Sequence, residues 1–224
     1  TPSRWPPWAG TPPPGHAVVI TDWDEKAVAY VLGRNPRPPP AERIIAMTHV
    51  AMFDAVNAIE RKYRPYLVQL PASETSSKEA AAAAAAGSIL AAVNPQMRVE
   101  MEKVLANYLS AIPDSLAKAE GIKLGEAVAT KILEARANDG SNSPDTYRTN
   151  TAPGVYVPTP TLFAVAWPQV KPFALASASQ FRPAPPIALS SAEWAADYNE
   201  IKSLGRIDTA SRSPQQTEAA KSWL

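Results

Sequence analysis

The sequence predicts an all-α fold interrupted by one long proline-rich stretch, on three observations. Apolar residues recur at helical spacing in successive segments up to about residue 138 and again after residue 190. Capping and stop signals bracket most of those segments. Residues 141–190 hold no sustained period and carry many of the chain's 24 prolines, about twice the usual share.

Residues 1–15 form an arm rich in Pro, Gly and Trp, with Trp5 and Trp8 available to pack on the body or on another chain. A first helix is predicted over Trp23–Leu32, capped by Thr21 or Asp22. After a proline run at 36–40, a second covers Ala41–Lys62. Its apolar positions Ile44, Ile45, Ala51, Met52, Ala55, Val56 and Ile59 span a broad arc, which predicts burial. Ser76-Ser77-Lys78-Glu79 reads as a capping box opening an alanine helix that can approach its neighbours closely, and Asn94-Pro95 marks its stop. Gln96–Ala111 is the next helix, ended by Ile112-Pro113. Asp114 caps another that runs to about Asn138, with Gly140 just beyond.

Residues 141–190 are expected to run ordered and extended over a surface. Prolines such as Pro153, Pro158, Pro160, Pro168 and Pro172 lower the entropy of the unfolded segment. Val155, Tyr156, Val157, Phe163, Trp167, Phe173 and Phe181 would anchor it. Ser190-Ser191-Ala192-Glu193 reads as a second capping box, and its helix stops at Gly205. Ser213-Pro214-Gln215-Gln216 combines an N-cap serine, proline at the first helical position and glutamine at the third, so a last helix starts at Pro214. It reaches Trp223-Leu224 without a stop signal, which reads as a cut, and Trp223 is expected to be buried against protein. The domain scheme is thus an arm at 1–15, a helical scaffold at 16–140, the extended segment at 141–190 and two helices at 191–224.

Bulk properties exclude several functions. With 22 basic and 21 acidic residues and a net charge of +1, the chain offers no electrostatic footprint for nucleic acid. The absence of cysteine removes disulfides, thiolate metal ligands and cysteine nucleophiles. No apolar run reaches the roughly 18 residues that span a bilayer. Starting at Thr1-Pro2 is compatible with removal of a leader, and favours an extracytoplasmic or secreted protein as an expectation.

Few residues suggest chemistry. His16 lies in the arm and His49 in the second helix, where a packed, hydrogen-bonded role is the expected one. Asp54, Asn57 and Arg61 share one helical stripe, with Arg43 three turns earlier. A buried Asp54 could act as a base, but the set is expected to be buried and structural, with Asp54 held by an arginine or by backbone donors. Asp139–Asp145 is rich in oxygen ligands. It lacks the alternation and the closing glutamate of a calcium loop, so turn chemistry explains it better. Lys171 and Arg182 are the residue types of an oxyanion clamp.

Three stretches carry a resemblance. The first is Ala41-Glu42-Arg43 through His49-Val50-Ala51-Met52-Phe53-Asp54-Ala55-Val56-Asn57-Ala58-Ile59, followed by Tyr63-Arg64-Pro65-Tyr66. The second is Trp167-Pro168-Gln169-Val170-Lys171-Pro172-Phe173, then Gln180-Phe181-Arg182-Pro183 and Pro185-Pro186. The third is Tyr198-Asn199-Glu200-Ile201-Lys202 to Gly205, then Arg212-Ser213-Pro214-Gln215-Gln216-Thr217 to Trp223. In order and spacing they resemble the N-terminal half of bacterial vanadium-dependent haloperoxidases, relatives of the type-2 phosphatidic-acid phosphatase superfamily. The resemblance runs from about Ala17 to the end of the chain.

That resemblance implies half of a helical-bundle fold and no catalytic residue in this chain. The family's oxyanion site begins with Lys, six residues, then Arg-Pro, followed by Ser-Gly-His and a late Arg and His. Lys171 and Arg182 stand ten residues apart, and Ser-Gly-His is absent. An assembled protein would hold vanadate and oxidise halide with peroxide, an oxidoreductase of the peroxidase class. This chain would supply scaffold, with Trp167, Phe173, Pro185 and Pro186 as candidates for a channel wall. Two other readings stay open: half of an acid phosphatase that uses no vanadium, and a non-enzymatic structural or interaction module. The expected partner is a complementary C-terminal catalytic chain or segment, across well over roughly 1,000 Å² of interface. A homo-oligomer is also compatible.

Overall fold

A computed structural model describes residues 17–33, 38–144, 146–148, 150–158 and 162–223. The arm with Trp5, Trp8 and His16 lies outside them, as do Pro36, Asp145, Pro160 and Leu224. The described residues form seven α-helices and no strand. They fall into two compact units. One contains helices α1 to α5 together with the segment Phe163–Ala176. The other comprises Tyr147–Leu162 and Ser177–Leu224.

In the first unit, α1 is Ala17–Leu32, six residues longer than the predicted helix. The reason is packing. Val19, Trp23, Ala27, Tyr30 and Val31 form one buried stripe, so Val18, Val19 and Ile20 belong to the helix rather than to the arm. Thr21 is therefore no cap: its hydroxyl donates to the carbonyl of Val18 within the helix. α2 is Pro38–Glu60, and its first turn holds Pro38, Pro39 and Pro40, where a missing N–H costs no intrahelical bond. α3, Lys78–Ala92, is the centre of the unit and packs against α1, α2, α4 and α5.

Ala80 to Ala86 are all fully buried. Their side chains end at Cβ, so neighbouring backbones come close. Opposite them on α5, Leu116–Arg136, stand Gly121 and Gly125. A Cβ at Gly121 would collide with the Ser77 carbonyl oxygen, and one at Gly125 with the Ala81 carbonyl oxygen and, at 2.8 Å, the Ala85 nitrogen. α4, Arg98–Ser110, follows a single 3-10 turn at Pro95–Met97 that is capped by Asn94. Two core clusters result. One centres on Trp23, Met52 and Leu90, and the other on Met47, Ile59, Ile89, Val128 and Ile132.

Capping differs from the prediction by one residue in three places. Ser77, not Ser76, caps α3 through the Ala80 N–H, and Ser76 instead donates to Glu120. Ser115 caps α5, while Asp114 pairs with Lys118 at 2.8 Å. Ser191 caps α6, Ala192–Leu204, through the Trp194 N–H. In α3 and α6 the serine nearer the helix takes the N–H, so Glu79 and Glu193 fall one position short of closing a box.

In the second unit, α7 is Pro214–Lys221, and its capping box is complete: Ser213 and Gln216 exchange side-chain and backbone bonds. Arg212 ties α6 to α7 by donating to the Leu204 and Arg206 carbonyls and to the Thr217 hydroxyl. Neither helix buries a residue. The expected burial of Trp223 is not found. It is 89% exposed, because the polar side chains of α7 give its last turn no apolar surface to lie on. Val155, Tyr156, Val157 and Phe181 are likewise exposed rather than anchored. Of the predicted anchors, Phe173 packs against the core and Trp167 is half-buried, and Ala166 and Val170, both buried, join them.

Candidate functional site

The densest polar constellation lies in the first unit, where α2, α5 and Phe163–Ala176 meet. Asp139 follows α5 with its carboxylate out of solvent. Its Oδ2 accepts from Arg43 Nε and pairs with Arg136 Nη2, both at 2.8 Å, and its Oδ1 accepts the Ser141 N–H. Burial pushes the Asp139 carboxyl up, but hydrogen bonds from Arg43 and Ser141 and the charge of Arg43 outweigh it and hold the group below its ordinary range. Arg136 also donates to the Lys171 carbonyl at 2.7 Å, and its guanidinium lies 3.9 Å from the Phe173 ring centre. Phe173 stacks on Tyr66. Burial raises the Tyr66 phenol; the Arg136 charge opposes this and the Asp54 charge adds to it. The Lys171 N–H donates to the Asp139 carbonyl at 2.7 Å, and Gly140 takes a left-handed φ of 93° beside Gln169, which admits the close approach. The network fastens a segment to the helices. Asp139 is spent on two arginines, and its bond from the Ser141 N–H is the turn chemistry expected of its loop.

Asp54 is fully buried on α2. No arginine among the described residues holds it. Its Oδ1 accepts the Tyr66 N–H at 2.7 Å, and its Oδ2 accepts those of Leu67 and Val68 at 2.9 and 2.8 Å. Of the two structural roles, backbone donors are therefore the one found. Asn57, also buried, clasps Tyr63 from both sides: its amide donates to the Tyr63 carbonyl and its oxygen accepts the Tyr63 N–H. The expected burial of Arg61 is corrected, since its side chain is 59% exposed. The helix ends at Glu60, Arg61 turns to a left-handed φ of 52°, and its guanidinium swings out to the Ala72 carbonyl. Asp54 and Asn57 together hold residues 63–68 against the helix. Every Asp54 contact is to backbone N–H, which fits a loop anchor and gives no proton path.

A groove of about 500 Å³ runs along α1 and α2 in the first unit, floored by Val19, Ile20, Val50, Met52, Phe53 and Val56. His49 stands at its edge. Its Nε2 pairs with Asp24 Oδ1 at 2.9 Å, so the hydrogen-bonded role holds, while the ring is two-fifths exposed rather than packed in the core. Glu60, at the groove's polar rim, is held below its ordinary range by hydrogen bonds from Lys78 and Lys62. A lone imidazole oriented by one carboxylate, with no nucleophile or convergent donors beside it, is half of an acid–base device.

The other predicted residues fall in both units. Lys171 belongs to the first unit, where its backbone is fixed and its side chain exposed; Arg182 belongs to the second and is exposed. Of the channel-wall candidates, Phe173 is packed in the polar network and Trp167 opens the 3-10 turn Trp167–Gln169, both in the first unit. Pro185 and Pro186 are exposed in the second. No group of three or more His, Asp or Glu among the described residues is placed to hold a metal ion.

No family model and no curated protein matches the sequence. Among solved structures, the chain is similar to a bacterial vanadium-dependent iodoperoxidase, with a TM-score of 0.68 and 24% identity over 86% of this chain. The match covers 51% of that protein, so the chain spans about half its length. The fold is thus all-α and haloperoxidase-like. The residues present do not fit vanadate. Such an anion needs several convergent cationic or N–H donors and a nitrogen ligand. Here Arg43 and Arg136 are both bonded to Asp139, and His49 to Asp24.

Proposed function

We propose that this chain is the scaffold half of a vanadium-dependent haloperoxidase-like protein. Halide oxidation by peroxide would occur only in the assembled protein, on residues a complementary C-terminal chain or segment supplies. The observation that carries this reading is the extent of the likeness: most of this chain lies on about half of the iodoperoxidase. The polar residues support it, because the buried ones are used in holding loops and helices together.

On this reading the chain's own work is positional. Asp54 and Asn57 fix residues 63–68, and Arg43, Arg136 and Asp139 fix Phe163–Ala176. The test is calorimetric titration of vanadate into the 224-residue chain, then into the chain with the downstream segment added. No binding alone and binding with peroxide-dependent halide oxidation in the mixture is the expected outcome. Tight vanadate binding by the chain alone would overturn it. Phosphate-ester hydrolysis by a mixture that neither binds vanadate nor oxidises halide would replace it with the phosphatase reading.

A further inference from the structure

Helix α6 carries two parallel stripes. Trp194, Tyr198 and Ile201 sit at i, i+4 and i+7, so they share one face, and they are 39%, 56% and 71% exposed. Glu193, Asp197 and Glu200 repeat the same spacing one residue earlier, which places a line of carboxylates along one edge of the apolar stripe. None of the three carboxylates makes an ion pair or side-chain hydrogen bond among the described residues, and α6 buries no residue at all. The second unit therefore presents a helix face with an apolar centre and an unneutralised acidic border.

We propose that this face docks an amphipathic helix whose apolar stripe is bordered by lysine or arginine. On the scaffold reading above, on which this assignment rests, that helix belongs to the complementary half. The occupant follows from charge and area. A second copy pairing α6 on α6 in the antiparallel sense would set acidic borders against each other. The three side chains also expose only on the order of 300 Å², far below the roughly 800 Å² per partner of a stable dimer. An anionic membrane surface is disfavoured too, since helices that lie on it carry basic borders. A basic amphipathic helix meets both stripes at once, with apolar ridges packing and cations facing Glu193, Asp197 and Glu200. The missing half of the fold is the source able to bring the remaining interface area.

The probe is a fluorescein-labelled synthetic helix about five turns long, with leucines on one face and lysines along its edges. Its control has the same leucines and glutamate edges. Anisotropy is followed on adding the full 224-residue chain, whose net charge of +1 gives a basic peptide no general attraction. The lysine peptide is expected to bind about tenfold or more tighter than the control and to weaken in salt. Tyr198→Glu with Ile201→Glu should abolish binding. Asp197→Lys with Glu200→Lys should reverse the preference toward the glutamate peptide; these side chains are exposed, so circular dichroism should report an unchanged helix content. Equal binding of both peptides, no binding, or binding untouched by Tyr198→Glu with Ile201→Glu would each overturn the proposal. Self-association of the chain removed by Ile201→Glu would overturn it in favour of a second copy. Peptide failure alongside vanadate binding in the assembled protein removes this face and leaves the scaffold reading. Peptide binding with no vanadate-competent mixture removes the scaffold reading and leaves the face.

Discussion

Replacing Asp54 tests how the loop after α2 is held. The carboxylate is fully buried and accepts three backbone N–H groups, from Tyr66, Leu67 and Val68. A hydrogen bond to a charged group contributes about 1.5–3 kcal/mol net. Val68 is buried and bears that loss in full, whereas Tyr66 is half-buried and Leu67 exposed, so water can replace part of theirs. Asp54→Ala should therefore cost about 3 kcal/mol, rather than the sum of three full bonds. Among the described residues no arginine faces the group, so no cation is stranded. Asp54→Asn separates acceptor number from shape. It fills the same space, but one of its two ends donates, and that end would face an N–H. It should cost about 2 kcal/mol or more. Urea unfolding followed by circular dichroism gives both values, provided the slope is unchanged. If both variants stay within about 0.5 kcal/mol of wild type, the loop is held by something other than these bonds.

Gly125→Ala should destabilise by about 2 kcal/mol or more despite alanine's higher helix propensity, because the new methyl meets backbone of α3. Gly87→Ala, whose methyl meets only the Leu105 side chain, should cost far less, and urea midpoints compare the two. Asp139 is held below its unfolded pKa of about 3.9, so its contribution is present above that pH and is lost as pH falls through the folded value. Asp139→Asn should lower stability most at neutral pH, with the gap to wild type closing below about pH 4. A gap constant from pH 7 to pH 3 would show that its charge is not what matters. Trp223→Ser should leave the urea midpoint of the chain unchanged, since the indole is nearly all in solvent.

Local signals were legible and distant ones were not. The capping box at Ser213 was readable because its partners lie within one turn, and the alanine run of α3 announced a close-packed helix. The start of α1 was misplaced because Val19 joins the helix only through burial against other helices. Asp54 was recognisable as a buried polar group, but its donors are 12 to 14 residues away on an irregular segment with no pattern of its own. The Arg43–Asp139 pair spans 96 residues, beyond any periodicity. Arg61 follows its stripe on paper and leaves it in space, because the helix ends one residue earlier. Gly121 and Gly125 were in view at a four-residue spacing, the signal of close helix approach, and went unread. The acidic and apolar stripes of α6 were equally present in the sequence. Their significance appears only once α6 is seen to bury nothing.

The alanine core of α3 has a mechanical consequence. A run of identical short side chains is smooth along the helix axis, so α3 displaced by one turn would set alanine where alanine had been. Large interlocking side chains forbid such slip, but here they are missing over Ala80–Ala86. Over that stretch the axial position is held by the notches at Gly121 and Gly125 and the bond from the Ser77 N–H to the Ala117 carbonyl, and large side chains interlock only beyond it, where Ile89 meets Val128 and Ile132. The helix pair is indexed at one end, as a ratchet is by its pawl, and filling a notch should shift the register of α3 on α5 as well as weaken it.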